Sequence, residues 1–265
     1  MRLNSLKEEI PQWITKKVES AGLRGVIIGA SGGIDSAVTI KLAKKAFPGN
    51  ILCLIMPCGN TLKDSKDAKL LLKRNNIPYK IINFENIFDK FQENVEKRNY
   101  KSNLEDVTDY SKKLALANTK ARIRMMFLYY YSQINKYMVL GTGNRTELEI
   151  GYFTKYGDGG VDILPLAGLF KREVIELGKI LRVPSEILEK TPSGGLWKNQ
   201  TDEDEIGLSY DELEYGIRKY YKLKSEPELE LNHDIDYIIK KTSELIRKNK
   251  HKKKAPPGFK VERND

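Results

Sequence analysis

Residues Gly25-Val-Ile-Ile-Gly-Ala-Ser-Gly-Gly-Ile-Asp-Ser36 run from a short apolar stretch directly into a glycine-bearing turn. The first half, Gly25–Ala30, has the length and character of a buried strand, and Ser36–Phe47 continues with helical spacing. A turn between a strand and its following helix aims backbone N–H groups and the positive end of the helix at an anion. Gly32 and Gly33 present no Cβ to hold phosphate oxygens away from the backbone, and Ser31 and Ser36 offer hydroxyls. Asp35 repels phosphate, so its use there is to hold a divalent cation that bridges phosphate oxygens. The string is neither Gly-x-x-x-x-Gly-Lys-Ser/Thr nor Gly-x-Gly-x-x-Gly. A plain glycine turn, with Ser36 as helix N-cap and Asp35 at the helix end, is the competing reading.

Working outward, short apolar segments alternate with amphipathic ones, the pattern of an open parallel sheet with helices on both faces, an α/β architecture. Further strands are expected at Ile51–Met56, Tyr79–Asn83 and Tyr137–Gly141. Helices are expected over 4–22, where Leu6, Ile10, Trp13, Ile14 and Val18 share helical spacing, and over 61–75, 87–97 and 111–135. The last carries Leu114, Ala117, Ala121, Met125 and Leu128 along one side. Helices near 145–150, 171–181, 210–221 and 234–248 complete the set, with Ser209 and Glu212 forming a capping box and His233 capping the final helix. Residues 151–165 and 191–207 read as irregular loops that mix glycine, aromatic and charged residues, as ligand loops and ordinary surface connections both do.

Composition bounds the rest. The 265 residues suit a single domain over 1–265, with a core at about 20–190 and C-terminal helices and a basic tail over 208–265. No apolar run approaches the ~20 residues that span a bilayer, and the N-terminal residues have no signal-peptide core. Cys53 and Cys58 cannot build a disulfide framework or a zinc set. These features predict a cytoplasmic protein with no membrane partner. Of the net charge of +10, residues 240–254 hold eight Lys or Arg against one Glu, a local +7 that leaves +3 elsewhere. Such a segment could hold RNA phosphates or small-nucleotide phosphates, while charge alone favours a solvated helix end and tail.

Ser-Gly-Gly-x-Asp-Ser after a first strand resembles the pyrophosphate loop of the ATP pyrophosphatase superfamily, whose members cleave ATP between the α and β phosphates and adenylate an oxygen. Further strings narrow the resemblance: Gly141-Thr-Gly-Asn-Arg-Thr-Glu147, Gly151-Tyr-Phe-Thr-Lys-Tyr-Gly-Asp-Gly-Gly160, Asp162-Ile-Leu-Pro165, Lys171-Arg172, Pro192-Ser-Gly-Gly-Leu-Trp197 and His251-Lys252. In this order, over nearly the whole chain, they are similar to ammonia-dependent NAD synthetase. The resemblance implies an adenine nucleotide alpha hydrolase-like, Rossmann-like fold and a homodimer, with the apolar side of the 111–135 helix as a candidate contact. It implies a ligase that amidates deamido-NAD with ammonia, through an adenylated carboxylate, releasing AMP and pyrophosphate.

The same resemblance assigns roles by position. Gly29, Ala30, Ser31, Gly32, Gly33, Ile34, Asp35 and Ser36 match the ATP phosphate site, joined by Thr142, Lys171 and Ser193. Asp35 and Glu147 match magnesium ligands; Asp35 and Lys171 are the expected catalytic pair. Arg122, Lys155, Asp162, His251 and Lys252 match contacts to deamido-NAD. Gly143-Asn144 departs from the Asp-His that many bacterial members carry. Taken singly, Arg122 is also a candidate surface ion pair, and Glu147 a carboxylate favoured by its own helix terminus. The chemistry needs cations, because an anionic carboxylate must attack an anionic α-phosphate. No glutaminase nucleophile is visible, so free ammonia is the expected nitrogen donor. A tRNA-modifying member of the superfamily, using the basic segment on RNA, is the alternative function.

Overall fold

A computed structural model describes residues 3–59, 62–97, 108–192, 201–224 and 227–259. In chain order the elements are α1 (Leu3–Ser20), β1 (Gly25–Gly29), α2 (Ile34–Ala46), β2 (Ile51–Ile55), α3 (Leu62–Arg74), β3 (Tyr79–Ile81) and α4 (Glu85–Lys97). They continue with α5 (Asp109–Asn135), β4 (Tyr137–Leu140), α6 (Arg145–Ile150), α7 (Lys171–Ile180), α8 (Ser185–Leu188) and α9 (Asp202–Ile206). Then come α10 (Tyr210–Tyr220), α11 (Ile235–Asn249) and a 3-10 turn over Lys250–Lys253.

The four strands are parallel, in the order β3-β2-β1-β4. Strand β1 pairs Val26 with Ile51 on one side and with Met138 on the other. Side chains alternate between faces, as the two-residue period of a strand requires. Val26, Ile28, Cys53, Ile55, Met138 and Leu140 face a core built with α1, α2, α3 and α7. Ile27, Leu54 and Val139 face a second core with Phe84, Phe88 and side chains of α5. A third apolar cluster, centred on Leu213, Ile217 and Ile238, binds α10 and α11 to Ile150 and Phe170. The open parallel sheet covered on both faces agrees with the sequence reading.

The chain leaves β1 toward β2 and β3, then returns to β4 on the other side of β1. The carboxyl ends of β1 and β4 therefore flank a topological switch point, where open α/β sheets leave a crevice. The turn after β1 carries Asp35; the turn after β4 carries Asn144 and Glu147.

Local readings need four corrections. Helix α2 begins at Ile34, with Gly33 as its N-cap, so Ser36 is not the cap. Trp13 is 39% exposed, because Ile14 and Val18, with Leu6 and Ile10, already fill the buried side of α1. Asp234, not His233, caps α11, its carboxylate accepting the Asp236 and Tyr237 N–H groups. His233 instead places Nδ1 2.8 Å from Glu212 Oε1. The fourth concerns the side of α5 expected at a subunit contact. Ala117 and Ala121 are buried inside, whereas Met126, Tyr130 and Ile134 form an exposed stripe. Ala121 and Met125 lie against Gly157 and Gly160 of the loop after α6, while Leu116, Ile123, Phe127 and Leu128 pack on the sheet.

Helix α10 meets α11 at Gly216, where an added Cβ would lie 2.3 Å from Thr242 Oγ1 and 2.6 Å from Thr242 Cβ. Thr242 is fully buried and has no room to retreat. Gly216→Ala is therefore expected to cost about 1–3 kcal/mol through overpacking, read as a lowered thermal midpoint.

Candidate active site

The turn after β1 is shaped by its own side chains. Gly32 adopts φ +82°, a left-handed conformation that glycine enters without penalty. Ser31 Oγ accepts the Gly33 N–H at 3.2 Å and donates to Ser36 Oγ at 3.0 Å. Ser36 in turn donates to the Gly33 carbonyl at 2.9 Å. Both hydroxyls thus hold the turn closed. The early start of α2 sets Asp35 in its first turn, where the helix terminus favours a carboxylate.

Across the crevice, Asn144 caps α6: its Oδ1 accepts the Glu147 N–H at 3.1 Å, while Glu147 Oε2 accepts the Asn144 N–H at 3.2 Å. That reciprocal box fixes the Glu147 side chain. The Asn144 amide also reaches over and donates to Asp35 Oδ1 at 2.9 Å. Asn144 is fully buried and joins the two halves of the site. Its role was not read from the sequence, although Asn-x-x-Glu ahead of a helix is a capping signal.

Lys171 completes the constellation. It opens α7, and its backbone N–H donates to Thr146 Oγ1 at 3.2 Å. The preceding ring, Phe170, lies between the guanidinium groups of Arg145 and Arg218, each 4.6 Å from its centroid. Lys171 Nζ sits 2.5 Å from Asp35 Oδ2 and 3.5 Å from Glu147 Oε1, with 5% of its side chain exposed. Burial alone would lower its ammonium pKa, but the two carboxylates outweigh that and raise it, so the group is charged. Burial, reinforced by Asp35 and opposed by Lys171, pushes the Glu147 carboxyl up to about 8. Beyond Glu147, the Tyr210 hydroxyl meets Glu147 Oε1 at 3.3 Å and Asp202 Oδ2 at 2.8 Å. The Tyr152 hydroxyl meets Asp202 Oδ1 at 3.1 Å and Glu205 Oε2 at 2.8 Å.

Asp35 and Glu147 together outnumber the one cation between them. Their oxygens are hard donors of the kind that Mg2+ takes. No group of three or more His, Cys, Asp or Glu able to hold a metal occurs among the described residues. The donor set therefore fits a cation that shares its remaining positions with phosphate oxygens and water rather than one caged by protein.

The other expected ligand residues fall into four groups. Thr142 lies in the turn after β4, half-buried. Ser193 lies outside the described residues. Arg122, Lys155, His251 and Lys252 gather around the loop that follows α6. Arg122 Nη2 donates to the Lys155 carbonyl at 3.4 Å, and Lys155 Nζ to the His251 carbonyl at 3.1 Å. Lys252 Nζ donates to the carbonyls of Gly151 and Phe153, at 2.7 and 3.1 Å. Asp162 stands apart from them. Its Oδ2 accepts the Val139 N–H of β4 at 2.8 Å and its Oδ1 the Tyr129 hydroxyl at 2.9 Å. In this state Asp162 fastens the sheet edge.

The raised Glu147 pKa has a consequence for stability. The folded carboxyl keeps a proton that its unfolded counterpart, with an ordinary value of 4.5, has already released. This contribution is complete below that value and is lost as pH rises through about 8. In metal-free buffer the thermal midpoint is expected to fall with rising pH across this window, and Glu147→Gln is expected to flatten the slope. Equal slopes would refute the assignment.

The comparisons with known proteins agree with one another. A family model described as NAD synthase matches residues 6–256. A protein from Carboxydothermus hydrogenoformans named NH3-dependent NAD+ synthetase is 42% identical over 97% of this chain and 98% of its own. Among solved structures, NMN synthetase from Francisella tularensis superposes with a TM-score of 0.84 at 33% identity, covering 98% of this chain and all of that one. An NH3-dependent NAD synthetase from Campylobacter jejuni, in complex with nitrate, gives 0.76 at 29% identity over 98% of this chain and all of that one. With nearly its full length matched by the family model and by a relative 42% identical to it, the chain belongs to the NAD synthase family.

Proposed function

We propose that this chain joins ammonia to the nicotinate carboxylate of deamido-NAD at the expense of ATP, forming NAD, AMP and pyrophosphate. The observation that carries this reading is the buried trio of Asp35, Lys171 and Glu147, held at the switch point between β1 and β4. A carboxylate is a poor electrophile. Its oxygen attacks the α-phosphorus, pyrophosphate departs, and the resulting acyl adenylate accepts ammonia at its carbon while AMP leaves. The backbone of residues 29–36 and the start of α2 face the phosphates; Thr142 and Ser193 complete the ATP contacts. Lys171, charged and already aimed into the crevice, neutralises phosphate oxygens. Asp35 and Glu147 would hold Mg2+, which when bound would supply positive charge to offset that of the attacking carboxylate and the triphosphate.

Arg122, Lys155 and Lys252 bring positive charge to the loop after α6, with His251 beside them, suited to the pyrophosphate of deamido-NAD. Each Asp162 oxygen holds one partner and has room for a second, so Asp162 meets substrate without releasing Val139 or Tyr129. The tRNA-modifying alternative has no support in the family match. In the basic segment, Lys252 holds backbone carbonyls and Lys253 pairs with Glu149. Nicotinate mononucleotide is a second acceptor to weigh, because the NMN synthetase shows the higher TM-score of the two solved structures above. The reading includes a homodimer and treats 1–265 as one functional unit. In support of pairing, Ile87, Phe91 and Val95 on α4 and Met126, Tyr130 and Ile134 on α5 are exposed apolar side chains on one side of the sheet. Among the described residues no helix is long and apolar enough to cross a membrane.

Two experiments test this. Incubation with ATP, Mg2+, ammonium and either deamido-NAD or nicotinate mononucleotide is expected to yield NAD and AMP from the former at higher kcat/KM. Glutamine is expected to replace ammonium poorly, and Asp35→Ala to abolish AMP release. Formation of ADP and orthophosphate would overturn the reading. In sedimentation velocity the chain is expected to run as a dimer and Met126→Asp as a monomer. A monomeric wild type would sink the pairing.

A further inference from the structure

Tyr210 stands at the start of α10 with its ring buried (8% exposed) and its hydroxyl between two carboxylates. The Lys171 ammonium lies 4.9 Å from the ring centroid, over its face. A phenol carries one proton, so it cannot donate fully to Asp202 and Glu147 at once. The 2.8 Å contact to Asp202 Oδ2 is the stronger bond, and the 3.3 Å contact to Glu147 Oε1 the weaker. Asp202 is itself fixed: it is 4% exposed, its Oδ1 accepts the Tyr152 hydroxyl, and its N–H bonds the Pro192 carbonyl at 3.2 Å. The phenol therefore has a rigid partner on one side and the carboxylate facing Lys171 on the other. Glu147 is held through Oε2 by the Asn144 N–H, which leaves Oε1 to Lys171 and Tyr210.

We infer that Tyr210 is a positioning residue for the metal carboxylate Glu147: its hydroxyl, held by Asp202 and sharing its one proton with Glu147 Oε1, fixes the direction in which that oxygen meets a cation. The inference rests on the proposed role of Glu147 as a metal ligand. Groups behind a metal's own ligands orient them, and their removal costs about 10–100-fold in metal affinity. Phenylalanine at 210 would keep the ring against Lys171 and remove only the orienting hydroxyl.

The test is Mn2+ binding, followed by electron paramagnetic resonance, to the full chain with a non-hydrolysable ATP analogue. Tyr210→Phe is expected to weaken Mn2+ about tenfold and to raise the apparent KM for Mg2+ by a similar factor with KM for deamido-NAD unchanged. Tyr152→Phe removes a hydroxyl held by Asp202 and Glu205 and keeps the backbone N–H that bonds the Glu147 carbonyl, and it is expected to lose at least threefold less Mn2+ affinity than Tyr210→Phe. Losses in Tyr210→Phe below twofold, or equal losses in the two variants, would overturn the inference. Should Tyr210→Phe melt below the assay temperature, Asp202→Asn decides, because a neutral amide holds the hydroxyl less firmly than a carboxylate. A loss of the same sign supports the anchor; unchanged or tighter Mn2+ binding refutes it. Glu147→Gln separates the two levels: if it leaves Mn2+ binding intact, the metal role itself fails and the positioning role with it.

Discussion

Two carboxylates and one ammonium in an enclosed crevice set the terms for the rest of this structure. Asp35 and Glu147 come from different turns, and like charges brought together out of water repel unless something compensates. Lys171 compensates in part, and each member arrives on a helix whose start is separately secured. Gly33 ends the turn before α2, Asn144 caps α6, and Thr146 bonds the first N–H of α7. Removing one partner from such a group leaves buried charge uncompensated, which costs more than the group ever gains by forming. That asymmetry explains why so many polar side chains around it are fully satisfied. It also suits the chemistry: the residual negative charge attracts a divalent cation, which then offsets the charge of the incoming triphosphate.

The parallel sheet brings this about through topology alone. Because β1 lies between β2 and β4, the turns after β1 and β4 diverge from one point, and their helices start side by side. The Asn144 amide spans the gap at 2.9 Å, close enough that one side chain both ends a helix and orients a carboxylate 109 positions earlier in the chain. The double stacking of Phe170 between Arg145 and Arg218 ties the same region to α10.

Much of this was legible in the residues. Strand–glycine turn–helix over 25–47 was readable because backbone geometry there depends on local identity: Gly32 has to enter a left-handed conformation, and the residues after it have to form a helix. Alternating apolar strands announced the sheet for the same reason. Less legible were facts that depend on tertiary contact. Asn144 looks like a simple cap until the chain folds Asp35 against it. Asp162 looks like a loose loop charge, yet it pairs with the edge of β4. Helical periodicity groups residues by side but does not say what covers each side: Trp13 shares its spacing with Ile14 and Val18 yet is 39% exposed, and the Ala121 side of α5 is closed by the loop after α6. Helix α9, five residues long, is too short for periodicity to reveal.

The C-terminal segment looks like a charged fringe but behaves as a seam. Asn249 Nδ2 holds the Ile150 carbonyl at 2.9 Å, Lys252 holds those of Gly151 and Phe153, and Lys155 reaches back to His251. Gly151 has φ +72°, and any Cβ there would meet Asn249 Cβ at 2.2 Å. Shortening the polypeptide to the end of α11 would therefore unpick the loop it abuts, so expression fusions and affinity handles belong beyond residue 254, never in place of it.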